Sequence, residues 1–267
     1  MTQRFVDKVV KSAKEAGLIL LSYREKGFSI SSKDGMEFVT EADISSENYL
    51  REALTYILPE ASFLGEESWD GTYPTTPCWV VDPLDGTNNY AMGIPFFCVS
   101  IALVDEDGVC LGCIHDPVHS ETFTALREGG AYLNGKPIKV SSANKLRDAV
   151  VATGFPYTRT SKDLTFDLNV LTDFLGLARG IRRCGSAALD LAYTAAGRYG
   201  GFWEETLKPW DMAAGVLLVK EAGGKVTGFR EKDWTLKSGG VQCSAPGIWD
   251  QFCGIINYEK RPRNEGA

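Results

Sequence analysis

The sequence predicts a layered fold of the mixed α/β class, with α+β character in its middle, on three observations. The stretch up to Ile57 reads as two amphipathic helices, the middle is a meander of apolar runs joined by turns, and the second half alternates strand with helix. Segments of this kind stack in layers, because each helix has one apolar stripe and each strand one apolar face to bury. A chain of 267 residues has room for one large domain or two closely packed halves. No composition shift or Pro/Ser-rich linker divides it, so a single unit over 1–267 is expected, with halves near 1–145 and 146–267.

The elements follow in order. Phe5, Val9, Ala13, Ala16, Leu20 and Tyr23 recur at helical spacing and predict a first helix. A polar, glycine-containing loop follows over 27–37. Thr40-Glu41-Ala42-Asp43 has the pattern of a capping box, in which Thr and acid each satisfy a backbone N–H of the other's end. It opens a helix with Leu50, Leu54 and Ile57 inside. Short strands are expected at 62–64 and 78–81, and longer ones at 96–104, 109–115 and 121–126. Asp105-Glu106-Asp107-Gly108 and Asn134-Gly135 supply hairpin turns. Strands at 149–153, 180–183 and 201–204 then alternate with helices at 164–178, 186–198 and 209–222. The last helix has Pro at its first position and Gly223-Gly224 beyond its end, the expected asymmetry.

Composition excludes several functions. The net charge is −7 and no long basic run occurs, so neither nucleic acid nor an anionic membrane is expected as primary partner. The first 17 residues lack an apolar core, and no apolar stretch approaches the roughly 20 residues that span a bilayer, so a cytoplasmic protein is expected. Seven scattered cysteines suit free thiols better than a disulfide framework. Cys110-Leu111-Gly112-Cys113 has no second pair at zinc spacing. With two histidines and no H-E-x-x-H, G-x-S-x-G or G-x-G-x-x-G, histidine-based nucleophilic catalysis has little support. The segment 130–136 imitates a P-loop, but Pro137 stands where a hydroxyl should hold Mg²⁺, and a hairpin turn accounts for it better.

One stretch carries chemistry. In Trp79-Val80-Val81-Asp82-Pro83-Leu84-Asp85-Gly86-Thr87 an apolar run delivers two carboxylates three residues apart, then a Gly-Thr corner. Oxygen-only ligands suit a hard cation such as Mg²⁺. Free N–H groups after the glycine suit an anion if a helix starts there. Asp-Pro and Asp-Gly are also ordinary turn dipeptides, so the stretch needs partners. Two candidates are Gly65-Glu66-Glu67-Ser68 upstream and Trp210-Asp211-Met212 in the first turn of a helix. Paired glutamates also occur on solvated loops, and an acid in a first turn also complements the helix dipole.

Taken together and in this order, with Gly185-Ser186-Ala187-Ala188 and Gly201-Phe202-Trp203-Glu204 added, these motifs resemble the inositol monophosphatase family, nearest to its bacterial type. The family belongs to the Mg²⁺-dependent, lithium-sensitive sugar phosphatase superfamily. The resemblance implies a layered α/β/α/β/α sandwich of the inositol monophosphatase and fructose-1,6-bisphosphatase type, a homodimer, and hydrolysis of a phosphate monoester by a metal-activated water. It implies that Glu66, Asp82 and the carbonyl of Leu84 hold one Mg²⁺, that Asp82, Asp85 and Asp211 hold a second, and that a third, weaker ion sits near Glu66. Gly86 and Thr87 would meet the phosphate. Asp85, Asp211, Glu204, Gly185, Ser186 and Ala187 would meet the rest of the substrate. Asp43 would pair with Thr87, with Glu66 and Thr87 orienting or deprotonating the water, and Lys33 would lie on a loop over the metals. Lys208 stands where a histidine is common in animal enzymes.

Inositol monophosphate is the expected substrate. The alternatives are fructose 1,6-bisphosphate, another phosphorylated diol or a nucleotide, with the choice made by the Lys33 loop and residues 154–160, 182–187 and 204–208. An aspartyl nucleophile usually wants its two acids two apart, not three. A phosphate-sensing or scaffolding protein would have shed some of these ligands.

Overall fold

The computed structural model describes residues 1–32, 38–155 and 168–257. In chain order the elements are α1 (Gln3–Lys26), β1 (Ile30–Ser32), β2 (Phe38–Thr40), α2 (Glu41–Ile57), β3 (Ser62–Gly65), β4 (Cys78–Asp85), α3 (Thr87–Ala91), β5 (Cys98–Asp105), β6 (Gly108–Asp116), β7 (Glu121–Leu126), β8 (Gly130–Leu133) and β9 (Lys136–Pro137). The second half adds β10 (Val150–Thr153), α4 (Leu168–Leu177), β11 (Gly180–Arg182), α5 (Ala187–Ala195), β12 (Gly201–Glu205), α6 (Pro209–Glu221), β13 (Lys225–Gly228), β14 (Gly240–Ser244) and α7 (Trp249–Ile256).

Two sheets carry the fold. One runs β3-β4-β5-β6-β7-β8-β9, with only β3 and β4 parallel. The other runs β11-β10-β12-β14-β13, with β10 parallel to both its neighbours. Side chains alternate between the faces of a strand, and the core clusters show which layer each face meets. On β4, Trp79 and Val81 pack with Leu20 and Leu50 of α1 and α2, while Val80 packs with Leu189 and Val216 of α5 and α6. On β12, Phe202 joins that central layer and Trp203 packs with Phe174 and Phe252 of α4 and α7. The order of layers is therefore α/β/α/β/α, as the motifs implied.

The helix α6 is buried all round because it lies between two sheets. Every residue from 209 to 219 is buried except Asp211. Two glycines let it sit that close. A Cβ on Gly112 of β6 would lie 2.7 Å from the Ala214 carbonyl oxygen, and one on Gly215 would lie 2.4 Å from Leu191 Cβ on α5.

Several boundaries differ from expectation. β4 continues through Asp85 instead of stopping at Val81, and α5 ends at Ala195. Part of the expected 27–37 loop is β1, paired with β2. β8, β9, β13, β14 and α7 had no counterpart in the sequence reading. The 164–178 helix is seen over Leu168–Leu177, and its first residues lie outside the described ones. All seven cysteines are free thiols. Among the described residues no helix is long and apolar enough to cross a membrane.

Because backbone, not a flexible side chain, faces Gly112, a methyl there must displace α6. Gly112→Ala is expected to cost about 1–3 kcal/mol, as overpacked cores do. It would be read as a lower urea midpoint with unchanged slope.

Candidate metal centre

The parallel pairing of β3 with β4 aligns Gly65 with Val81, and the Glu66 N–H donates to the Val81 carbonyl at 3.2 Å. Glu66 thus leaves β3 beside Asp82. On β4, Asp82 has the parity of Val80 and faces the central layer. Asp85 has the opposite parity and in a regular strand would face α2. A bulge prevents this: the stretch from Asp82 to Asp85 runs against the shorter stretch from Ser100 to Cys98 on β5. The extra residue turns the strand over. Leu84 now packs with α1 and α2, and Asp85 reaches the central layer, where its Oδ2 accepts from Ser186 Oγ at 2.5 Å and from Ala188 N at 2.7 Å.

Asp211 arrives from the third position of α6, its Oδ2 accepting the Lys208 N–H at 2.7 Å. Ligand oxygens of Asp82, Asp85 and Asp211 all lie within 4.8 Å of one another. Burial pushes the Asp82 carboxyl well above the usual range, and the charges of Glu66, Asp85 and Asp211 push it further. Asp211 is raised well above its usual range by burial and then by Asp85 and Glu66. Asp85 is raised by burial against the pull of Ser186 and Ala188. Buried carboxylates that repel one another and offer only oxygen fit a hard divalent cation, which relieves both costs at once.

Beyond Asp85 the chain turns at Gly86, whose φ of +97° favours glycine, and a Cβ there would lie 3.0 Å from the Phe96 carbonyl oxygen. Thr87 opens α3. Its Oγ1 lies 3.1 Å from Asp43 Oδ1 and 3.0 Å from the Leu84 carbonyl, two acceptors for one proton. Asp43 is the acid of the capping box, its Oδ2 accepting from Thr40 N at 2.8 Å and Thr40 Oγ1 at 2.5 Å. Burial raises its carboxyl against these bonds. The expected Asp43–Thr87 pair is therefore present.

The substrate-side expectations meet the structure unevenly. Ser186 caps α5 and commits its hydroxyl to Asp85. Its side chain therefore orients a candidate ligand. Gly185, with φ of +85°, and Ala187 flank it. Glu204, next to last in β12, has its carboxyl against Gly154, where any Cβ would lie 1.9 Å from it. Desolvation raises Glu204 to about 8, with Arg183 opposing and Asp85 adding. Lys208 is exposed, its Nζ 5.1 Å from the centre of the Trp69 ring. Lys33 and residues 156–160 lie outside the described residues.

The sequence reading missed several groups. Asn89 Nδ2 donates to the carbonyls of Phe96 and Cys184, each at 2.7 Å, tying α3 to the segment before α5. Ser46 Oγ donates to the Pro83 carbonyl at 3.0 Å, and Glu47 Oε2 accepts the Glu67 N–H at 2.8 Å. A signal for the last two was available: with Asp43 they fall on the helical stripe that continues through Leu50 and Leu54.

The inositol monophosphatase family matches residues 2–257. The chain belongs to that family. The Nus factor SuhB of Pseudomonas aeruginosa is 40% identical to it over 245 residues, which is 90% of each chain. The inositol-1-monophosphatase of Rhizobium meliloti is 41% identical over 223 residues, 82% of each. Among solved structures, the inositol monophosphatase from Anabaena (Nostoc) sp. PCC 7120 superposes with a TM-score of 0.83 at 37% identity, covering 95% of each chain. Family membership makes this chain a phosphoric monoester hydrolase.

Glu204 supplies a test in the metal-free chain. Its carboxyl sits near 4.5 ordinarily and at about 8 in the fold, so the folded state binds the extra proton between those values. Stability must then fall as pH rises through that window. Glu204→Gln, neutral throughout, is expected to melt progressively higher than the parent from pH 5 to pH 8 in EDTA. An equal offset at both ends would contradict the assignment.

Proposed function

We propose that this family member hydrolyses a phosphate monoester with the aid of Mg²⁺, and that inositol monophosphate is its substrate. The observation that carries the reading is the convergence of Asp82, Asp85 and Asp211 within 4.8 Å, beside the Gly86-Thr87 corner. These three carboxylates, with Glu66 and the Leu84 carbonyl, are the groups that would hold two to three ions. When bound, the ions supply Lewis-acid activation of water and of the phosphoryl oxygens. The protein does the rest. With the Leu84 carbonyl given to a cation, the Thr87 hydroxyl would donate to Asp43 alone, so that Oγ1 could accept a proton from the attacking water as its own passes to Asp43. Asp43 can stay fixed in this role because Thr40 holds its other oxygen from two sides. Glu66 orients the same water from the β3 side. The N–H groups of Gly86 and Thr87 meet the phosphoryl oxygens, where negative charge spreads in the transition state. Glu204 and the 185–187 segment face the alcohol that leaves.

The Pseudomonas relative's name favours a second reading, a part in a transcription complex. A chain acting only as a scaffold would tolerate Asp82→Asn in cells, whereas an enzyme would not.

Phosphate release should require Mg²⁺, stop with EDTA, fall with Li⁺, and be lost in Asp211→Asn. Thr87→Ala should lower kcat by about 10²–10⁴, the usual range for a lost general base. Comparing inositol 1-phosphate with fructose 1,6-bisphosphate and 3′-phosphoadenosine 5′-phosphate by kcat/KM decides the substrate. Full activity in EDTA would overturn the mechanism.

A further inference from the structure

Helix α2 is unusual in what it buries. Its sheet-facing stripe begins not with apolar side chains but with Asp43, Ser46 and Glu47, which are 1%, 0% and 4% exposed. Burying three polar groups on one helix face costs free energy unless each finds a partner. Each finds one on a different segment of the metal centre. Asp43 takes Thr87 after the corner, Ser46 takes the Pro83 carbonyl inside the bulge, and Glu47 takes the Glu67 N–H beyond β3. Spaced within about one helical turn, the three anchors tie one helix face to Pro83 in the bulge, to Thr87 after the corner and to Glu67, two residues past the last β3–β4 pair.

Glu47 is the anchor with no part in the chemistry so far. Its Oε2 lies so close to the chain that a Cβ on Gly65 would stand 2.4 Å from it. Its Oε1 pairs with Arg51 at 3.4 Å, and Arg51 in turn hydrogen-bonds Ser68 and lies 4.1 Å from the Phe63 ring centre. Glu66 is thus flanked by contacts to one pair of α2 side chains, at Gly65 before it and at Glu67 and Ser68 after it. Groups that orient a metal's ligands from behind also set its affinity, and losing one typically costs about 10–100-fold.

We propose that Glu47 is a positioning residue for metal binding, holding the 65–68 segment against α2 so that Glu66 stands beside Asp82. The proposal rests on the metal reading above. It differs from a purely structural role for Glu47, which would change stability and leave metal affinity alone.

The test is a direct titration of the purified full chain with Mn²⁺, following the free-ion electron paramagnetic resonance signal, with urea unfolding run alongside. Glu47→Ala is expected to raise the Mn²⁺ dissociation constant at least about tenfold, with Glu47→Gln, which keeps an acceptor oxygen, within about threefold of the parent. Gly65→Ala, which pushes Glu47 away from the other side, should match Glu47→Ala. In phosphate release, Glu47→Ala should raise the Mg²⁺ needed for half activity more than it changes kcat at saturating Mg²⁺. Parental Mn²⁺ affinity in Glu47→Ala overturns the proposal, as does a Glu47→Gln as weak as the alanine variant. If Glu47→Ala does not fold, Gly65→Ala decides, and parental affinity there overturns it. A parent chain that binds no Mn²⁺ would instead overturn the metal reading itself, and this proposal with it.

Discussion

The repulsion among Asp82, Asp85 and Asp211 is the constraint around which the rest of the fold is arranged. Three carboxylates that offer oxygens within 4.8 Å of one another, largely out of water, would separate if left free. Each is held by a donor from the framework: Asp82 by the Leu84 N–H at 2.9 Å, Asp85 by Ser186 and Ala188, Asp211 by the Lys208 N–H. These bonds occupy one oxygen and leave another for the common centre. They also lower the carboxyl pKa values that burial raises, keeping the charged form within reach once a cation is present. Under the proposed function, a divalent ion would relieve this repulsion and draw affinity from it.

Holding such a centre needs elements from both ends of the chain. β4 brings two of the acids, α6 the third, and α5 clamps Asp85 from a position 101 residues away in sequence. The central helical layer is therefore both the packing between the two sheets and the back wall of the site. This explains the glycines at 112 and 215: α5 and α6 must approach each other and β6 closely enough for Ser186 and Asp211 to reach the β4 corner at once.

What the sequence revealed follows from whether a feature is local. The capping box at Thr40-Asp43, the Pro209 start of α6 and the Asp105–Gly108 turn are local, and each stands where its pattern put it. The layer order came from motifs that resemble a family, since alternation alone leaves the number of layers open. The bulge was not legible. A one-residue register shift leaves no mark on composition, although carboxylates three apart on one strand can serve one centre only if such a shift occurs. The bond from Ser186 to Asp85 was not legible because it joins residues 101 apart in sequence. Glu47 and Ser46 were legible in principle as polar residues on an apolar helical stripe, but a pattern search that looks for apolar positions passes over them. β13, β14 and α7 went unread because they are only four, five and eight residues long.

The geometry also separates two tasks. Under the proposed function, metal and phosphate contacts fall to the β4 corner, α2 and the start of α6, whose acids are fixed by short hydrogen bonds. Glu204, which the proposed function gives to the leaving alcohol, stands elsewhere, where β11, β10 and β12 run parallel and end together, with Arg183 after β11 and Gly154 after β10 beside it. The carboxyl ends of parallel strands are where open sheets commonly receive ligands. Here Glu204 packs on bare backbone at Gly154 and responds electrostatically to Arg183 and Asp85, which couples these strand ends to the acid cluster. Under the proposed function, a change of substrate would be made by altering these strand ends while the acid cluster stays as it is. The sequence identifies the reaction more readily than the alcohol for the same reason: the reaction is written in acids clustered on one strand and one helix, and the alcohol in loops that meet only in the folded chain.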